Sequence, residues 1–124
     1  MNHKNRLKSF FPNREDVQKD HYSTKHKYSF NLFWPNVEPL NRKDESVDVK
    51  VNYRGKEYTG SLSTLLFVRR MFKKNAKITG ECSRGSYFCM PNMIIVKDLH
   101  PRTIINTIDD LIERKYFDGY FKVL

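Results

Sequence analysis

The sequence predicts a single α+β domain: a mostly antiparallel sheet packed against two main helices. Three observations carry that prediction. The chain has 124 residues, the length of one domain, and can bury a core without a staple. Residues 46–63 alternate like a β-hairpin, and residues 64–75 and 101–115 repeat apolar side chains at helical spacing.

The elements follow in order. Residues 1–26 are polar and basic without sustained periodicity, and "NRLKSFF" makes at most a helical turn that Pro12 stops. They are read as a partly flexible basic segment ahead of the domain, 27–124. In "KYSFNLFW" (27–34), Tyr28, Phe30, Leu32 and Trp34 share one face and Lys27, Ser29 and Asn31 the other, the period of a half-buried strand. Alternation on one face is what a core needs, so these aromatics are assigned to packing ahead of base stacking. "PNVEPLNRKDE" (35–45) is a loop.

Val47, Val49, Val51 and Tyr53 alternate with Asp48, Lys50 and Asn52 before "RG" turns the chain into "KEYTGSL". Ser63 or Thr64 caps a helix reaching about Asn75. Gly80 and Gly85 bracket a loop, and "SYFCM" and "MIIVK" read as strand pieces split at Pro91. Pro101 opens a last helix whose buried stripe is Ile104, Ile105, Ile108, Leu111 and Ile112. The tail "YFDGYFKVL" packs down. Ile104, Ile108, Leu111, Phe72, Val68 and Ile94 are expected in one core.

The net charge is +9, and its excess sits in the middle third. Residues 46–85 carry a net of +6, against +3 for residues 1–45 and zero for residues 86–124. On a helical wheel, Arg69, Arg70, Lys73, Lys74 and Lys77 occupy an arc of about 140° without a compensating acid, with Leu66 the lone apolar intruder. Phe67, Met71, Val68, Phe72 and Leu65 make the opposite, apolar face. Uncompensated cations repel by a few tenths of a kcal/mol per pair, a cost that an acidic partner relieves and that acids from another element can also relieve. Asp109, Asp110 and Glu113 form a second charged face, outward on the last helix.

Chemistry of other kinds finds few residues. The chain has two cysteines, Cys82 and Cys89, and no CxxC or HxxxH pair, so no metal site is expected. No GxxxxGK[ST], GxGxxG or GxSxG appears, and no cofactor or small-molecule substrate is implied. Cys82 is read as a loop residue and Cys89 as a small buried one. Without a signal peptide's apolar stretch or a membrane span, the chain reads as a soluble, reduced, cytoplasmic protein. It is expected to bind and not to catalyse.

At "TLLFVRRMFKKN", "TGECSRGSYFCMPNMIIV" and "TIINTIDDLIERKYFDGYF" the chain resembles small bacterial immunity proteins of polymorphic or contact-dependent growth inhibition toxins. The resemblance spans about residues 46–121 and rests on the order helix, glycine loop, aromatic strand, final helix. It implies a cytoplasmic, non-enzymatic protein that binds and neutralises a toxin domain. Immunity proteins against nucleases tend to be acidic, and this chain is basic. The contact is then the basic helix with the adjoining loop (Arg69, Arg70, Lys73, Lys74, Lys77, Glu81, Arg84 and Tyr87), or else the acidic face Asp109, Asp110 and Glu113. The alternative is a nucleic-acid-binding module using the basic helix 64–77.

Overall fold

The structure, a computed structural model, describes residues 21–23, 25–35 and 41–124. The helical turn read before Pro12, most of the basic segment 1–26 and residues 36–40 of the loop lie outside the described residues. The strands β1 (His21–Ser23), β2 (Tyr28–Phe33), β3 (Ser46–Tyr53) and β4 (Lys56–Thr64) pair antiparallel in sequence order. β1 thus brings His21–Ser23 into the sheet, opposite Phe30, Ser29 and Tyr28.

From β4 the chain enters helix α1 (Leu65–Lys74), a π-helical turn (Asn75–Thr79) and a tight turn (Glu81–Gly85), then β5 (Met93–Val96). β5 lies parallel to β4, the geometry that a helix-bearing crossover permits. Helix α2 (Pro101–Glu113) and the short α3 (Phe117–Tyr120) lead to β6 (Lys122–Val123), antiparallel to β4. The result is an α+β domain with a largely antiparallel sheet, and one edge of β4 serves two partners: β5 along Ser61–Thr64 and β6 along Tyr58–Thr59.

Local chemistry sets these elements. Arg54 and Gly55 both have positive φ (53° and 74°), so the β3–β4 hairpin closes with the left-handed pair that suits sheet twist. The register sets Phe30 opposite Val51 and Leu32 opposite Val49, and β3 sets Val51 opposite Tyr58 and Val47 opposite Leu62. The middle of β2, β3 and β4 thereby presents one apolar face. α2 covers it with Ile104 and Ile108, both fully buried, and with Ile105, Leu111 and Ile112 at the margin. His100 caps α2 with Pro101 in its first turn, and Asp98 Oδ1 accepts the His100 N–H at 3.0 Å.

The aromatic tail closes the core as expected. Phe117 and Phe121 stack at 4.8 Å, and Phe117 meets Tyr53 and Tyr58 edge-on. Gly60 makes room for this: a Cβ there would lie 2.6 Å from the Phe121 ring.

Four expectations need correction. Phe72, placed in the core from the wheel, is 36% exposed; Val68 is buried but apart from the main cluster, and Ile94 and Leu111 pack at its edge. α1 belongs to the crossover, and of the apolar arc only Val68 is buried, while Phe67 and Met71 are half-buried. "SYFCM" forms no strand: residues 87–90 run irregularly into a turn at Pro91 and Asn92, the latter at φ 55°. Cys89, on that irregular stretch, is accordingly exposed, and Cys82 is half-buried. The helix expected to stop near Asn75 instead widens into the π turn, where the buried Asn75 side chain accepts the Thr79 hydroxyl at 2.8 Å.

Candidate interaction surface

Thr64 builds the start of the surface. Its Oγ1 accepts the N–H groups of Phe67 and Glu45, at 3.3 and 3.1 Å, fixing α1 to the loop before β3. α1 carries no acid in its first turn, and Lys73 and Lys74 close its last turn, favourably placed against the helix dipole. Arg69, Arg70, Lys73, Lys74 and Lys77 are all exposed. The expectation that none is compensated fails at one: Arg70 Nε lies 3.1 Å from Asp44 Oδ1, and its guanidinium stacks over Phe67 at 5.3 Å. Among the described residues the other four have no carboxylate partner.

Apolar side chains accompany these cations. Leu65 is 60% exposed, Leu66 45% and Ile78 80%. Leu65, Phe72 and Ala76 are all exposed and recur at spacings of seven and four residues, which places them on one side of the helix with Arg69 between them. The wheel had set Leu65 and Phe72 of this stripe on the apolar face opposite the cations. The one sequence signal of the true arrangement is Leu66, apolar in the middle of the cationic arc.

Glu81, Arg84 and Tyr87 are exposed, and the structure brings their loop against the helix. Cys82, Ser83 and Arg84 take consecutive left-handed φ values of 52°, 52° and 58°. A left-handed conformation costs L-residues roughly 1–2 kcal/mol each. Gly80 and Gly85, at φ 73° and 80°, enter and leave this turn. It is closed by Arg84 N–H to the Gly80 carbonyl and Ser86 N–H to the Cys82 carbonyl, at 3.3 and 3.0 Å. Gly85 also lets it touch the helix, since a Cβ there would stand 2.5 Å from the Phe72 carbonyl oxygen. Phe88 then meets Phe67 edge-on at 5.9 Å. Strain of this kind persists where surrounding contacts enforce it, often at binding sites.

The acidic alternative is engaged within the chain. Asp109, expected to face outward, accepts the Tyr28 hydroxyl at 2.8 Å and is half-buried. Asp110 pairs with Arg114 at 3.1 Å along the helix. Glu113 meets Lys25 at 2.6 Å and His26 at 3.3 Å, and those contacts hold its carboxyl below the usual range, Lys25 contributing most. Asp110 and Glu113 remain exposed, so their ion pairs lie at the surface, where solvent screening leaves each worth little.

Comparison with protein-family models, curated proteins and solved structures finds nothing that matches this chain. Among the described residues no helix is long and apolar enough to cross a membrane.

Proposed function

We propose that this chain is a non-enzymatic binding protein that docks one acidic protein partner on α1 and the adjoining left-handed turn. Within that class, an immunity protein that neutralises a toxin domain in the bacterial cytoplasm is the function we favour. One observation carries the reading: Leu65, Leu66, Phe72 and Ile78 stand exposed among Arg69, Lys73, Lys74 and Lys77, which have no carboxylate among the described residues.

A protein interface uses both halves of that pattern. Each large apolar side chain removed from water contributes about 1.5–3 kcal/mol, and cations at its rim steer an acidic partner. A phosphodiester backbone engages the lysines alone and leaves the leucines in water. The rigid turn adds Tyr87 and Arg84, residue types that anchor interfaces.

The test is a growth assay. Toxin domains encoded beside this chain's gene are expressed with wild-type chain or with the Leu66→Asp, Phe72→Asp double variant. Wild-type rescue that the folded variant loses is the expected result. No rescue by wild type, together with submicromolar binding of mixed-sequence RNA, overturns the proposal in favour of the nucleic-acid module.

A further inference from the structure

On the sheet face opposite α2, Phe33, Asp48, Ser61 and Met93 form one row across four strands, each pair in register. Two groups in that row are unmet. The Ser61 hydroxyl is buried, its residue only 6% exposed, and it has no hydrogen-bond partner. The Asp48 carboxylate has no ion pair or hydrogen bond among the described residues. Lys50, two residues along on the same face, is committed to Glu57 at 3.4 Å. Burial alone pushes the Asp48 carboxyl up to about 6, with no donor to counter it. Folded proteins rarely leave a buried hydroxyl such as that of Ser61 unpaired, and here a half-buried carboxylate without a donor among the described residues stands beside it.

A cleft opens at this place. It holds about 300 Å³, and among the described residues its polar lining is Asp48, Ser61, Thr59 and Asn92. Met90, Pro91 and Leu124 make apolar walls. Its position follows from topology: at Gly60 the edge of β4 passes from β5 to β6, so neither strand covers the gap. At roughly 30 Å³ per water-sized group, the cleft admits about ten such groups.

We propose that this cleft is a binding site for a protonated primary amine carried on a short unbranched apolar stem. An ammonium presents three donors in a compact head, which suits one carboxylate flanked by two hydroxyls. Asp48 supplies the charge, Thr59 accepts a second N–H group, and the Ser61 hydroxyl, closed to solvent in this structure, accepts the third after rotating about its Cα–Cβ bond, while the stem lies along Met90, Pro91 and Leu124. A divalent cation fits poorly, because calcium and magnesium take six or more oxygen ligands and, among the described residues, Asp48 is the one carboxylate side chain lining the cleft. Among the described residues no three His, Cys, Asp or Glu side chains gather to hold a metal. The site is separate from the α1 surface and does not rest on the function proposed for it.

The amine has two sources, a free small molecule or a lysine side chain, and two probes separate them. Full-length chain at pH 7.5 is titrated with n-butylamine and with a blocked Ala-Lys-Ala tripeptide, following the amides of Asp48, Thr59, Ser61 and Asn92 by NMR. Saturable shifts with Kd of about 1 mM or tighter are expected for at least one probe. Tighter tripeptide binding assigns a protein lysine, and tighter butylamine binding a free amine. The Asp48→Asn variant should weaken the better probe at least tenfold, and 1-butanol should not saturate. Wild-type affinity should fall as pH drops below about 6, since a protonated Asp48 no longer offers its charge. Among the described residues, Lys50, Glu57 and Lys122 are the other charged groups on this face; the first two are paired with each other and the third reaches the Asp118 carbonyl at 3.4 Å. Ser61→Ala, which removes an unpaired hydroxyl and keeps the fold, should raise stability and weaken binding. No saturable shift with either probe, or equal binding by wild type and both variants, overturns the proposal.

Discussion

The Tyr28 hydroxyl stands 2.8 Å from Asp109 Oδ1 and 3.1 Å from the Ile105 carbonyl oxygen, tying the start of β2 to the middle of α2. The two residues are 81 apart in sequence. Tyr28 is buried, yet its ring crosses the core so that its polar end reaches the margin where α2 meets solvent. Asp109 is drawn inward by that hydroxyl, which is why the acidic face of α2 is not the free surface that helical spacing suggests.

Removing the hydroxyl with Tyr28→Phe should destabilise the fold by about 1–3 kcal/mol, because a hydrogen bond to the half-buried Asp109 carboxylate is lost. Chemical denaturation measures this as a lower midpoint at unchanged slope. Asp109→Asn alone should cost less, and the two changes together should be clearly non-additive. Additive costs would mean that the pair does not interact.

Truncations separate the two helices. Ile108→Ala should cost about 2–5 kcal/mol, the range for a fully buried aliphatic side chain. Phe72→Ala should cost no more than about 1 kcal/mol, since a third of that ring is already in water. Thermal melts of the two variants side by side give the comparison, and equal losses would place α1 in the core after all.

Asp48 sets a pH dependence whose sign is unusual for a carboxylate. Its folded value is raised from 3.8 to about 6, so the folded state holds the proton more tightly than the unfolded chain does. The resulting stability is fully present below about pH 4 and is lost as pH rises through 6. A shift of that size represents roughly 3 kcal/mol, and solvent screening of the incompletely buried carboxyl reduces it to about 1–2. Asp48→Asn, which cannot ionise, should therefore be more stable than wild type at pH 7, with the advantage closing toward pH 4. Urea unfolding at four pH values is sufficient.

Gly85→Ala tests the turn against the helix. The new Cβ meets both an unfavourable φ of 80° and the Phe72 carbonyl oxygen at 2.5 Å. Residues 81–87 should lift off α1, and their amides should exchange more than about tenfold faster, while β3 and β4 keep their protection. Equal acceleration everywhere would mean that the turn is part of the global folding unit.

Alternation and caps were legible in the sequence, and partnership was not. The period of two in "VDVKVNY" and the Arg54–Gly55 turn defined the hairpin because each strand of a half-buried sheet must segregate its faces. Pro101 and the isoleucine stripe defined α2 for the same reason. The wheel failed for Leu65 and Phe72 because an apolar arc shows which side of a helix is apolar, not whether the rest of the fold covers it. Asp48 looked like an ordinary outward residue, since nothing in "VDVKV" reveals that the far face of the sheet is partly enclosed. The left-handed path of Cys82, Ser83 and Arg84 has no local signature beyond the two bracketing glycines, because non-glycine residues enter it only under tertiary constraint.

The basic face yields the last prediction. Arg70 is left untouched, because reversing it would set two acids against each other at Asp44. Lys73, Lys74 and Lys77 are exposed and lack carboxylate partners among the described residues, so changing all three to Glu should leave the melting temperature within a few degrees. The variant should lose the acidic protein partner mainly through slower association, since rim charges act chiefly on encounter. The Leu66→Asp, Phe72→Asp variant should instead raise the dissociation rate, because buried anchors set how long a complex lasts. Salt distinguishes this from nucleic-acid binding. Several phosphate contacts would cost about 10³-fold or more in affinity between 50 and 200 mM salt, whereas an interface anchored by leucines should lose far less. Surface-immobilised chain, titrated with the partner and with mixed-sequence RNA across that range, reads both rates directly. A steep salt dependence with no effect of the Leu66 and Phe72 changes would show that the cations work alone and that the apolar stripe plays no part in binding.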